Sequence, residues 1–332
     1  VDIYINFGQL GVNVFFVISG YLITTILIQE EKETGRVSIN MFFIRRIIRI
    51  FPAFYFLLFV YLILEYFHKL YISPIFYLSS MTYIRYFFGI DTLTDHFWSL
   101  SVEENFYLIW PFVFVFLKPH RIRFAFLIVC LIPTIRMLQY SNIPWLKYDV
   151  LKYNTTLFQR MDAPMWGCIF ALYNDKIKDY LSFLIRYSKL FFYLPFVLIL
   201  FSISFGVINN TYHLHLDALN AGFFQAIGII PNLAIGCIIL ISLIKTDTIW
   251  FKILNTKIFD YTGKISYSLY LWQQMFTLDA RFFSLLSPLY IFLAANISYH
   301  LVERPFLRLK KYFSDGKEYK KISFSKSFEN NE

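Results

Sequence analysis

The sequence predicts an all-α fold, a polytopic membrane helix bundle of about nine spans. Three observations predict it. The composition is 58% hydrophobic and 16% charged, with a mean hydropathy of +0.53, whereas soluble domains are about 45–50% apolar and about 25% charged. Apolar runs recur at about the length that crosses roughly 30 Å of hydrocarbon. Basic residues gather in every second loop between those runs, as expected of loops on the cytoplasmic side.

The runs are 10–29, 50–67, 98–117, 124–140, 158–173, 190–208, 222–244, 259–280 and 287–302. The stretch 75–90 is also apolar, but Ser73, Pro74, Ser79, Ser80 and Arg85 interrupt it. It reads as re-entrant or interfacial, and the charge alternation works only if it does not cross. The basic loops hold Lys32, Arg36, Arg45, Arg46 and Arg49, then Lys118, Arg121 and Arg123, then Lys176, Lys178, Arg186 and Lys189, then Lys245, Lys252 and Lys257. Arg308, Lys310 and Lys311 follow the last run. The intervening loops 68–97, 141–157, 209–221 and 281–286 are poorer in Lys and Arg. This topology puts Val1 outside and the C-terminus in the cytoplasm. It expects the chain to lack its true N-terminus and the complete protein to have about ten spans. Residues 1–307 read as one transmembrane domain, and 308–332 as a basic cytoplasmic tail, mobile at its end.

The net charge of +9 is explained by this topology and does not point to nucleic acid. Cys130, Cys168 and Cys237 lie inside apolar runs without paired spacing, which argues against a disulfide framework or a zinc site. No Gly-rich phosphate loop or nucleophile elbow is present, and no metal site is expected.

The stretch Phe97–Pro111 organises the chain. Two adjacent acids, Glu103 and Glu104, stand in it. A carboxylate deep in lipid costs about 2.5–3.5 kcal/mol on insertion scales, so acids there usually have a task; near the headgroups the same residues are unremarkable. Ser99 and Glu103 are four apart and share a helix face, whereas Glu104 points elsewhere. The hydroxyl can orient the carboxylate or fix a substrate. His96 precedes the run and could reach the same outer mouth, or simply sit in an interfacial loop. Arg45, Arg46 and Arg49 form a cationic patch at the start of the second run, with Arg46 and Arg49 on one face. Plain topology explains them, and so does a phosphorylated donor gripped by guanidinium groups. Arg160 and Asp162 head a run in which Pro164 and Gly167 predict a kink; they form a local ion pair or line a cavity. Ser19-Gly20 in mid-span predicts close helix approach. Gln273 and Gln274 need partners if they lie in the bilayer. Glu303-Arg304-Pro305 reads as a structural ion pair with a proline stop.

In this order, Phe15–Thr24 (FFVISGYLIT), Arg45–Pro52 (RRIIRIFP), His96–Pro111 (HFWSLSVEENFYLIWP), Arg160–Gly167 (RMDAPMWG), Gly263–Trp272 (GKISYSLYLW) and Glu303–Phe306 (ERPF) resemble the membrane acyltransferase-3 family of bacterial O-acyltransferases. The resemblance implies a ten-helix bundle in the bacterial inner membrane. It also implies transfer of an acyl group, expected to be acetyl, from cytosolic acyl-CoA to a hydroxyl of an extracytoplasmic glycan such as a surface polysaccharide. Arg46 and Arg49 match the family's Arg-x-x-Arg donor motif, with Arg45 beside them. Ser99 and Glu103 match its Ser-x-x-x-Glu motif, and Arg160 and Asp162 its Arg-x-Asp element. The implied partners are the lipid bilayer, acyl-CoA and the glycan acceptor.

Two departures stand out. The family's first helix carries Arg or Lys, then ten residues, then a His regarded as catalytic, and this pattern is absent. Relatives place that His shortly before the segment matched by Gly11–Phe16, so it is expected upstream of Val1, and the chain as given is expected to be inactive without it. His68, His120, His213, His215 and His300 do not substitute convincingly. Gln273 stands where relatives often have His, and the tail has no room for the hydrolase-like domain that many relatives carry. A glycan or lipid transporter and a catalytically inactive relative stay open as alternatives.

Overall fold

The computed structural model describes residues 2–88, 91, 93–140, 160–212, 229–277 and 286–309. Among these there is helix and no strand. The helices are α1 (Asp2–Thr34), α2 (Ile39–Tyr66), α3 (Pro74–Met81), α4 (Phe97–Phe116), α5 (Arg121–Tyr140), α6 (Asp162–Leu172), α7 (Asn174–Tyr187), α8 (Leu190–Tyr212), α9 (Ile229–Ile244), α10 (Ile249–Leu254), α11 (Lys257–Thr277), α12 (Ser287–Ser298) and α13 (Arg304–Leu309). The turn Arg85–Phe87 is 3₁₀, and Tyr299–Glu303 is a π turn between α12 and α13.

Among the described residues, two helices are long and apolar enough by themselves to cross a membrane, Leu10–Thr34 and Ile39–Tyr66. A third candidate is a pair, Asn174–Tyr187 with Leu190–Ser204, bent by 105°. About nine spans are therefore not established. Helix α4 has 20 residues, long enough at 1.5 Å per residue to match about 30 Å of hydrocarbon. Its acids, Asn105, serines, Tyr107 and tryptophans lower its hydropathy, and α11 is diluted likewise by Lys257, Asp260, Lys264, Gln273 and Gln274. The described parts of the expected runs 158–173, 222–244 and 287–302 contain helices of 11, 16 and 12 residues. Helix α3, with eight residues, is about 12 Å long and too short to cross. The expectations for 141–157, for most of 209–221 and 281–286, and for all but the first two residues of the tail 308–332 fall outside the described residues, as do His213 and His215.

The apolar surface is turned outward as lipid requires. Phe59, Leu62 and Ile63 of α2 and Leu108, Ile109 and Phe112 of α4 are exposed, whereas water would select polar side chains there.

The chain divides into two compact units, Val1–Val37 with Leu78–Phe259, and Ser38–Tyr77 with Asp260–Glu332. In the first, α1 crosses α6 at glycine. A Cβ on Gly20 would lie 1.9 Å from the Pro164 carbonyl oxygen, and one on Gly167 would lie 2.1 Å from that of Val17. Only hydrogen fits at both places. Gly167 is thus a contact point. Pro164 sits in the first turn of α6, where an N–H has no helical partner to lose, so it does not kink the helix. Helix α1 ends at Gly35, whose φ of +75° suits a residue without Cβ. Near that end Glu31 receives Arg121 through two hydrogen bonds of 2.7 and 3.0 Å and Lys118 at 2.8 Å. This ties α1 to the α4–α5 turn.

In the second unit, Ser38 caps α2 by accepting from the Met41 amide at 3.4 Å. The helix ends before His68, which adopts φ +52° and so serves the turn that closes it. Helix α2 packs against the π turn and α13. The predicted proline stop is overturned. Helix resumes through Pro305 to Leu309, because the π turn resets the ladder and puts Pro305 in a new first turn, where a missing N–H costs little. Nor does Glu303 simply pair with Arg304. Glu303 is buried and accepts from Ser268 at 3.0 Å, whereas exposed Arg304 lies 3.4 Å from the His300 ring.

Candidate active site

Glu103 and Glu104 differ as helical spacing predicts. Glu103 is 5% exposed, and Glu104 is half-buried. Two hydroxyls converge on Glu103 Oε1. Ser19 of α1 donates at 2.6 Å, and Tyr107, one turn further along α4, donates as well. Hydrogen bonds to an ionised acceptor are about twice as strong as neutral ones, so the pair fixes the carboxylate's plane and direction. Ser99 is buried on the preceding turn, and its hydroxyl donates to the His96 carbonyl at 3.3 Å. His96 is 8% exposed, with its ring 4.2 Å from that of Phe97. The three predicted residues therefore occupy the buried beginning of one helix, and the sequence reading missed the two described donors to Glu103.

Each donor left some signal. Tyr107 is four residues from Glu103 and must share its face. Ser19 is a hydroxyl in mid-span, which needs a partner in lipid, but the sequence does not say which.

Further contacts join α1 to α4 and α6. Trp110 Nε1 donates to Thr24 Oγ1 at 2.9 Å, and Trp110 stacks on Phe106. The Cys168 thiol approaches the Gly20 carbonyl at 3.8 Å. Arg160 donates to Asn13 at 3.4 Å and lies 5.7 Å from the centroid of Trp98, within cation–π range. Asp162 is 1% exposed and accepts from Asn232 of α9 at 3.4 Å. Asn13 and Asn232 thus join the predicted Arg-x-Asp pair.

Before α4 the chain is pinned by Arg85, which is 1% exposed. Its Nε donates to Thr94 at 3.1 Å, its Nη1 to the Phe88 carbonyl at 3.1 Å, and Asp95 lies 3.8 Å away. Burial pushes the Asp95 carboxyl up and the Arg85 guanidinium down, each opposed by the other's charge. The Arg85 amide donates to Ser101 of α4 at 3.3 Å. This buried arginine, which the sequence reading treated as an interruption, holds the residues that lead into His96.

The remaining predicted residues belong to the second unit. Arg45 and Arg46 are half-buried and Arg49 is exposed, all on α2. Burial pushes the Glu303 carboxyl up, opposed by its hydrogen bond from Ser268 and by the charge of Arg49. Gln273 is half-buried on α11, and its backbone carbonyl accepts from Thr277 at 3.0 Å. Among the described residues no cluster of three or more His, Cys, Asp or Glu could hold a metal.

Residues 1–299 match the acyltransferase-3 family, whose matching region is described as an acyltransferase domain. The chain belongs to this family. It is 32% identical over 329 residues to O-acetyltransferase OatA of Staphylococcus aureus, in strains NCTC 8325 / PS 47 and COL alike. The match covers 90% of this chain and 52% of OatA, so the chain spans about half the length of these curated relatives. No solved structure matches.

Proposed function

We propose that this acyltransferase-3 chain is the membrane domain of an O-acetyltransferase of the bacterial inner membrane, with its C-terminus in the cytoplasm. It moves an acetyl group from cytosolic acetyl-CoA to a hydroxyl of an extracytoplasmic glycan. The observation that carries this reading is the buried Glu103 carboxylate, held by Ser19 and Tyr107 inside a chain of this family. Arg46 and Arg49, with Arg45 beside them, hold the donor phosphates. Glu103 orients and charges a histidine base that takes the acceptor's proton or first receives the acyl group. Ser99 and His96 shape the approach to Glu103. Arg160 and Asp162 line the polar route taken by the acceptor, and Gln273 serves as a separate polar contact for substrate.

The test uses the full-length protein in membranes of a strain lacking its own copy, given acetyl-CoA labelled in the acetyl group. Label on glycan is expected for the wild type, and less than a hundredth of it for Glu103→Gln at equal expression. Undiminished label with Glu103→Gln would overturn the role of Glu103, and no label with the wild type would overturn the activity.

A further inference from the structure

The first turns of α4, α6 and α9 gather around the first half of α1, all within the first unit. Asn13 of α1 accepts from Arg160 at 3.4 Å, and Arg160 lies 5.7 Å from the centroid of Trp98 at the start of α4. Asp162 opens α6, and Asn232 stands in the first turn of α9. Val102, beside Glu103, joins Ala163, beside Asp162, and Ile235, one turn beyond Asn232, in a single buried cluster. Asn232 is 2% exposed. Its amide nitrogen donates to the Asp162 carboxylate at 3.4 Å. A carboxylate offers only lone pairs, so it holds the amide in this sense and turns Oδ1 the other way. Among the described residues nothing donates to that buried oxygen. An acceptor shut away from water without a donor is costly, and calls for a hydrogen from elsewhere.

We infer that Asn232 is an acceptor-binding residue, whose Oδ1 takes a hydrogen bond from a hydroxyl of the sugar to be acetylated while Asp162 holds the amide in place. The chemistry selects a neutral polyol. Oδ1 and the Asp162 carboxylate are both acceptors. A fully ionised phosphate of the donor offers them no hydrogen and carries a charge that Asp162 repels. A sugar presents several hydroxyls, each able to donate to one group and accept from another, and the Arg160 guanidinium stands at the same end of the helices to serve their lone pairs. The charge alternation of the loops expects this end on the outer side, from which an extracytoplasmic glycan arrives. The inference rests on the reading of this chain as a glycan O-acetyltransferase.

The experiment uses the full-length protein in nanodiscs, open at both faces, with acetyl-CoA labelled in the acetyl group. The acceptor is envelope glycan extracted from the strain lacking the protein. KM is measured separately for the glycan and for acetyl-CoA. Asn232→Leu keeps the size of the side chain and removes both polar atoms. It is expected to raise the glycan KM about tenfold, the scale of one hydrogen bond to a ligand, and to leave the acetyl-CoA KM within about twofold. In an Asp162→Ala background, Asn232→Leu should still raise the glycan KM several-fold, because Oδ1 touches the sugar itself. An unchanged glycan KM overturns the inference and leaves a buried water as the partner of Oδ1. An equal rise in both KM values overturns it as well, as the mark of a general loss of structure. No further rise over Asp162→Ala also overturns it, since Asn232 would then act only through Asp162. If Asn232→Leu does not accumulate, the smaller Asn232→Val serves, with the same expected and overturning results. Absence of label on glycan with the wild type overturns instead the activity on which the inference rests.

Discussion

Adding one methyl group at Gly20 tests whether the α1–α6 crossing holds the fold together. In Gly20→Ala the new Cβ would stand 1.9 Å from the Pro164 carbonyl oxygen and 2.7 Å from its carbon, whereas ordinary contact begins at 3.4 Å. The difference, 3.4 less 1.9, means that the helices must part by about 1.5 Å. Both partners are backbone, so no rotamer change relieves the clash. A gap of even 0.5–1 Å forfeits about a quarter to a half of each van der Waals contact along the crossing. In lipid, packing of this kind is a main source of helix association. Overpacked sites cost about 1–3 kcal/mol, and a backbone-to-backbone clash belongs at the upper end, about 2–3 kcal/mol. The measurement is SDS-induced unfolding of the purified protein in mixed micelles, followed by tryptophan fluorescence. Gly263→Ala is the control. It lies in α11 with nothing within 4 Å of an added Cβ, and should be neutral or more stable by up to about 1 kcal/mol from helix propensity. Equal stability of Gly20→Ala and wild type would refute the reasoning, as would a Gly263→Ala variant that is equally damaged.

Three further outcomes are expected. Ser19→Ala and Tyr107→Phe each remove one donor to Glu103, a loss of about 1.5–3 kcal/mol for a charged acceptor. Each should lower kcat about tenfold or more in the acetyl-transfer assay, and the double variant should fall short of the product of the two because both act through one oxygen. Arg85→Met should lower thermal stability, and more so at neutral than at acid pH. Burial raises the folded-state Asp95 carboxyl above its ordinary value, and Arg85 opposes the rise. The folded wild type therefore loses stability as pH climbs from the ordinary carboxylate value of about 3.9 through the raised one. Without Arg85 that loss grows, so melting curves of the two proteins should nearly converge below pH of about 4 and separate above it. Asn13→Ala should leave expression unchanged and weaken acceptor rather than donor binding, through the Arg160 side chain it supports, as read from separate KM values for the two substrates.

What the sequence disclosed depended on the range of the interaction. The choice of Glu103 over Glu104 needed only helical periodicity, and their different burial agrees with it. The small residue at Gly20 signalled a close approach before its partner was known. Ser19 reaches Glu103 across 84 positions, and no local pattern encodes such a pairing. Tyr107 stood at a readable spacing, but with 25 tyrosines in the chain one more phenol on a helix face carries little information. Arg85 looked like a break in an apolar stretch because its inward turn depends on Thr94 and Asp95 folding back beneath it. The π turn before Pro305 has no composition of its own, so a proline stop was the natural reading. The span count is not established because the acids, amides and indoles of α4 and α11 dilute the hydropathy by which spans are recognised.

Helix α1 does several jobs on adjoining faces. Asn13, Val17, Gly20 and Thr24 recur at intervals of four, three and four, so they face one way, and they meet Arg160, Gly167, Pro164 and Trp110. Ser19 beside them reaches Glu103. Folding and site geometry here are not separable traits on which selection can act in turn. A saturation library over positions 10–27 should show tolerance rising and falling with the helical period, and compensating changes should arise on α4 and α6 rather than on α1. Homologues that drift to new acceptors would then keep this helix nearly fixed and change their specificity elsewhere in the chain.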